Sequence, residues 1–232
     1  MIEVRPFAKL GAAQHGWLNA RHHFSFSEYY DPERMNWGAL RVWNDDEIAP
    51  NTGFPAHPHR DMEIITYVRQ GAITHEDSLG NKGRTVAGDV QVMSAGTGIY
   101  HSEGNMEETT TSLFQIWIQP NRMGLKPSWG TKRFPTSDRH SDFVTLASGY
   151  AEDEDALKIN SNARLAAVTL QAGQTTEYAL GSTRKAYLVA ATGAIEVNGV
   201  AAQARDGVAV ENESVIRVTA QQDSEIILVD LA

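Results

Sequence analysis

The chain has 232 residues, 41% of them hydrophobic, a formal net charge of -9 and no cysteine. That length holds one large β domain or two ordinary ones, each with a real core. The missing cysteine excludes disulfides, thiolate catalysis and cysteine-held zinc or iron–sulfur centres, so any metal must be held by His, Asp or Glu. The acidic balance speaks against nucleic acid or anionic membrane gripped by a basic patch. No apolar run approaches the roughly 20 residues of a membrane span. The opening MIEVRPFAKL lacks the apolar core of a secretion signal, so a soluble, cytoplasmic protein is expected.

In chain order, RHHFSFSEYY at 21–30 sets aromatic residues beside His22 and His23 and reads as a packed edge. FPAHPHRDME at 54–63 follows, with two histidines flanking Pro58. Next, EIITYVRQGAITHED is rich in β-branched and aromatic residues and is broken at Gly71. GNKG at 80–83 is a turn signal, and His75, beside Glu76 and Asp77 near that turn, reads as solvated. AGDVQVMSAG is a short strand between glycines. SAGTG at 94–98 has no Gly-Lys-Ser/Thr after it and reads as a tight turn, not a phosphate cradle. NRMGLKPSWGTKRFPTSDRHSDF is rich in Pro, Gly and Ser and lacks periodicity, which puts a domain boundary there. EDED at 152–155 reads as a solvated turn. Beyond it, short strands alternate with Gly193, Asn198-Gly199 and Asp206-Gly207; Asn-Gly is a strong hairpin signal.

The two halves echo each other. Gly71-Ala72-Ile73 and Gly193-Ala194-Ile195 each open a strand, and a glycine-initiated strand follows from Gly88 and from Gly207. Internal duplication of one β-barrel unit accounts for this. The expected division is 1–137 and 138–232. No histidine lies beyond His140, so one barrel is expected to be active and the other structural.

The chemistry is expected in two short segments. In a strand, residues i and i+2 share a face about 6.6 Å apart, so His57 and His59 can converge on one ion. Pro58 cannot donate to a ladder and marks an edge or bulge. Taken alone, the pair reads equally as two exposed loop histidines. GTGIYHSEGN repeats the spacing with His101 and Glu103, which favours a metal held by His57, His59, His101 and Glu103. Glu63 lies four residues past His59, about 13 Å along an unbent strand. It is therefore expected to orient a ligand imidazole, or to be a satisfied polar side chain, with Glu103 as the fourth ligand. Three imidazoles and a carboxylate suit Fe(II), Ni(II), Cu(II), Mn(II) or Zn(II), with positions left open for water, substrate or dioxygen.

HPHRDMEIITYV, THEDSLGN, VMSAGTGIYHSE and HGWLNARHHFSFSEYYDP together resemble the pirin family of bicupins, from about residue 10 to about 120. The resemblance implies an all-β fold of two cupin-type barrels packed together, with metal only in the N-terminal one. It carries the family's ligands onto His57, His59, His101 and Glu103. In ordinary cupins the glutamate of the first motif, here Glu63, is the ligand, and the second motif lacks the four residues that here separate SAG from His101. The pirin pattern is followed in preference.

For function, the resemblance implies a metal-dependent dioxygenase, with Fe(II) as the expected metal, that opens the flavonol ring of quercetin with O2 and releases carbon monoxide. Glu103 would be its general base. The alternative it implies is a regulatory or sensing protein that acts through a protein partner. A cupin isomerase needing no metal is disfavoured by the paired spacing. A monomer is expected, with a small aromatic substrate and neither nucleic acid nor membrane as partner.

Overall fold

The computed structural model describes residues 1–232, the side chain of Asp138 excepted. Strands dominate, and the helical turns are short 3-10 segments such as Phe7–Lys9 and Pro32–Arg34. Among the described residues no helix is long and apolar enough to cross a membrane.

The chain forms two compact units, one of Gly11–Phe134 with Leu157–Ser161, the other of Met1–Leu10, Pro135–Ala156 and Asn162–Ala232. This differs from a single cut after residue 137. Hydrogen bonding moves the ends: Ile2–Arg5 pairs antiparallel with Gly207–Glu211, and the Phe7 N–H donates to Asp206. In the other direction, the Asn160 N–H donates to Glu63 at 3.0 Å.

Each unit has one larger and one four-stranded sheet, and the order of strands repeats. In the first unit the larger sheet runs Val90–Ser94, Glu63–Gln70, Thr111–Ile118, Leu40–Ile48. The four-stranded sheet runs Thr52–His59, Ile99–Asn105, Ala72–Asp77, Lys82–Val86. In the second unit the same places are taken by Gly207–Glu211, Lys185–Thr192, Ser224–Leu231 and Ala163–Leu170, and by Thr175–Ala179, Val215–Ala220, Ile195–Val197 and Val200–Ala202. Eight consecutive strands thus recur in one topology, as duplication requires. The hairpin signal holds: Asn198 and Gly199 take φ of 46° and 86° between Ile195–Val197 and Val200–Ala202, the left-handed pair of a tight two-residue turn.

Side chains from both sheets of a unit meet inside it. In the first, Leu18, Ala20, Ile48, Val68 and Leu113 from the larger sheet pack with Ile73 and Phe54 from the smaller. In the second, Val168, Leu188 and Leu228 meet Ile195, Val197, Ile216 and Val218. Each fully buried Val, Leu or Ile among them contributes about 1.5–3 kcal/mol.

Thr52–His59 is the edge strand of its sheet, as Pro58 requires, and its register against Ile99–Asn105 shifts between His101 and Glu103. The chain leaves this strand through Arg60–Met62, with Asp61 at φ 47°, and enters the other sheet at Glu63. The two strands approach closely at Gly53, where an added Cβ would lie 2.2 Å from the Glu103 carbonyl oxygen. Backbone cannot yield as a flexible side chain does, so Gly53→Ala should lower stability by about 1–3 kcal/mol in urea unfolding.

Candidate metal centre

Three neighbouring strands build the site. Ile99–Asn105 lies between Thr52–His59 and Ala72–Asp77, with His101 opposite His57 on one side and Asp77 on the other. Alternation along the central strand turns Ile99, His101, Glu103 and Asn105 inward, all buried, and leaves Tyr100 outside. His57 and His59 are half-buried with Pro58 exposed between them, so the exposed-loop reading does not hold.

One ring nitrogen from each of His57, His59 and His101 lies within 4.8 Å of the others. His57 Nε2 and His101 Nε2 are 3.1 Å apart, and His57 Nδ1 donates to the Pro55 carbonyl at 2.7 Å. That bond leaves the His57 Nε2 lone pair free for a ligand. Burial, then the neighbouring His57, lowers His59 to about 4. Burial, then His57, His59 and His75, lowers His101 to about 3. Both rings are therefore neutral at physiological pH, the form that binds metal.

Glu103 lies deeper. Its Oε1 accepts from Gln91 at 2.6 Å and from Thr66 at 3.3 Å, and its Oε2 accepts from Gln115 at 2.8 Å. Burial pushes its carboxyl up to about 7 against these bonds. Glu103 also groups with His75 and His101 as a second set of converging donor atoms.

His75 overturns its solvated reading. It is fully buried, stacked on Trp129 at 4.8 Å and 7°, and bonded to Asp77 at 3.0 Å. His75 and Asp77 form a third i, i+2 pair on the same inward face, and that spacing could have found them. Glu63 contacts no imidazole. Its Oε2 accepts from Ser94 Oγ at 2.6 Å and from the Asn160 N–H at 3.0 Å. Glu63 and Thr66 are three residues apart in one strand and so face opposite sides; Thr66 points to Glu103. Glu63 is therefore the satisfied polar side chain, and the expected role of orienting an imidazole finds no contact to support it.

A cavity of about 340 Å³ opens beside His57 and His59, its walls including Trp17, Phe26, Phe54, Asp46, Gln115 and Trp117. This is the size and mixture of a small-molecule site. His59 meets the edge of Trp117 at 4.9 Å. His22, from the segment read as a packed edge, is buried against Asn44 at 2.8 Å and also lines the cavity. Both donor clusters lie in the Gly11–Phe134 unit. Three converging imidazoles, with burial lowering His59 and His101, and the Glu103 carboxylate grouped behind His101 fit a divalent transition metal.

A Pirin family model matches residues 3–118, and a model of the quercetinase C-terminal cupin domain matches residues 145–231. A pirin-like protein of Caulobacter vibrioides is 66% identical over the whole of both chains. The chain belongs to the pirin family. The quercetin 2,3-dioxygenase of Escherichia coli is 41% identical, with 100% of this chain and 99% of that protein covered. The crystal structure of a bacterial pirin from Escherichia coli in complex with nickel(II) superposes with a TM-score of 0.94 at 40% identity, over 100% of this chain and 99% of that one. The two units are accordingly the two cupin domains of a pirin.

Asp46, beside the cavity, is 2% exposed, and its Oδ1 has no hydrogen-bond partner. Burial, then Asp45 and Glu103, raises its carboxyl well above the usual 3.8, against the opposing pull of Arg69. The unfolded chain ionises Asp46 near that value while the folded chain keeps the proton, so stability falls as pH rises from about 4. Asp46→Asn removes this linkage. In urea unfolding of the metal-free protein, the variant should match wild type most closely at pH 4 and gain on the order of 1–3 kcal/mol by pH 8.

Proposed function

We propose that this pirin is a metal-dependent dioxygenase that opens the flavonol ring of quercetin with O2 and releases carbon monoxide. The observation that carries the reading is the convergence of buried His101 with His57 and His59, which stand at the wall of an aromatic-lined cavity of about 340 Å³. The Escherichia coli relative named quercetin 2,3-dioxygenase supports the choice of substrate.

In this reading His57, His59, His101 and Glu103 hold one divalent metal, with Fe(II) favoured and Ni(II), Cu(II), Mn(II) or Zn(II) also suited to the donors. When bound, the metal supplies Lewis acidity and a template for the 3-oxygen of the flavonol. Trp17, Phe54 and Trp117 clasp the planar rings and exclude water. Glu103 accepts the proton of the 3-hydroxyl. Gln115, which lines the cavity, donates to Glu103 and so links that carboxylate to the substrate pocket. Gln91 and Gln115 hold the carboxylate in place and limit its swing. With the 3-hydroxyl deprotonated, dioxygen bonds to C2 and C4, the C2–C3, C3–C4 and O–O bonds break, and C3 leaves with its own oxygen as carbon monoxide, both atoms of dioxygen staying in the ring-opened product.

Purified protein should contain a divalent transition metal, and quercetin should be consumed only in its metal-loaded form and only in air. Oxygen-dependent loss of quercetin at an equal rate in chelated protein would overturn the proposal. Glu103→Gln, with metal content confirmed, should lose about 10²-fold or more in kcat. Undiminished turnover by that variant would remove Glu103 as the base.

A further inference from the structure

His75 and Asp77 remain unused by the proposed chemistry, although they lie beside it. His75 is fully buried and ring-stacked on Trp129. Asp77 is tied down on both oxygens: Oδ1 accepts from the Leu79 and Asn81 N–H groups at 2.9 and 3.0 Å, and Oδ2 from Asn81 Nδ2 at 2.9 Å. The hydrogen bonds that offset the burial of this His–Asp pair also fix its orientation beside the donor cluster.

The protons along this line can be placed by elimination. Asp77 as a carboxylate only accepts, so His75 Nε2, 3.0 Å from Oδ2, carries the hydrogen. A neutral His75 then has a bare Nδ1, and this atom faces His101 Nδ1 at 3.4 Å. His101 Nδ1 can meet that bare atom only as a donor, so the Asp77–His75 pair favours the His101 tautomer with its hydrogen on Nδ1. That leaves His101 Nε2 bare. It sits 3.1 Å from His57 Nε2, which the Pro55 carbonyl has already left bare. Two lone pairs this close repel unless a cation lies between them; the relay holds His101 in this tautomer against that repulsion, which a metal relieves.

We propose that Asp77 and His75 are positioning residues, an outer relay that locks His101 in its Nδ1–H tautomer and aims its Nε2 at the metal. The relay rests on the metal-centre reading above and extends it from the metal's ligands to the groups behind them. It assigns His75 to support, not ligation, because both of its ring nitrogens are engaged elsewhere.

The test has two arms on the full-length protein. In the metal-free protein, long-range 1H–15N spectra of the histidine rings should show His101 as the Nδ1–H tautomer and His75 as the Nε2–H tautomer. In His75→Phe, which keeps the ring against Trp129 but cannot accept a hydrogen bond, the His101 tautomer should become mixed. Nickel(II) affinity by calorimetry should fall about 10–100-fold. His75→Asn, whose side-chain oxygen falls near the lost Nδ1, should recover part of that affinity. An Nε2–H tautomer of His101 in wild type, or wild-type nickel(II) affinity in His75→Phe, would overturn the relay. Wild-type protein that binds no nickel(II), Fe(II) or Zn(II) would instead sink the metal-centre reading, and the tautomers would still decide the hydrogen-bond assignment.

Discussion

Pairing of Ile99–Asn105 between Thr52–His59 and Ala72–Asp77 is the constraint on which the site depends. The ladder fixes which residues stand side by side, and the two-residue period of a strand fixes which face they share. Together they set His57 and His59, His101 and Glu103, and His75 and Asp77 on one inner surface. Burial then acts on this polar array. It lowers His59 to about 4 and His101 to about 3 and pushes the Glu103 carboxyl up to about 7. The same desolvation that makes the array expensive prepares it for a cation, because neutral rings with oriented lone pairs gain most when a metal arrives.

In the second cupin domain the corresponding surface is apolar. Thr175–Ala179 and Val215–Ala220 occupy the places of the strands that carry the metal donors. There the inward side chains Ile216, Val218 and Ala220, with Tyr178 packed against them, join an apolar cluster. One polar link survives, from the Tyr178 hydroxyl to Asp230 at 3.0 Å. Identical topology thus accommodates either an apolar core or a cluster of buried imidazoles and carboxylates, and the difference lies in a few alternate residues along the smaller sheet. This is the physical form of the principle that function sits in a site grafted on a fold.

The cavity adds direction to the donors. Trp17, Phe54 and Trp117 close on its apolar side, while Asn44, Asp46 and Gln115 face it from the larger sheet. Gln115 also holds Glu103, so one side chain links the cavity wall to the buried carboxylate. The ligand site is therefore built from both sheets of its domain. The smaller sheet provides the donors and Phe54 of the cavity wall, and the larger sheet provides Trp117 and the groups that hold Glu103.

Local patterning determined much of this protein. The glycine-punctuated strands, the Asn198-Gly199 hairpin and the repeated order of elements follow from backbone preferences acting over a few residues. So does the i, i+2 placement of His57 with His59 and of His101 with Glu103. Tertiary structure alone decided the rest. His75 read as solvated because its neighbours Glu76 and Asp77 are charged, yet pairing with Ile99–Asn105 buries it under Trp129. Glu63 shared a parity count with the histidines only while the strand was imagined straight; the turn at Asp61 carries it into the other sheet, where it meets Ser94 and Asn160. The first ten residues belong with the C-terminal domain because an edge strand there takes Ile2–Arg5 as its partner. Periodicity reports which face a side chain takes within its own strand. Which strands lie beside it, and hence what that side chain meets, depends on contacts far apart in the chain.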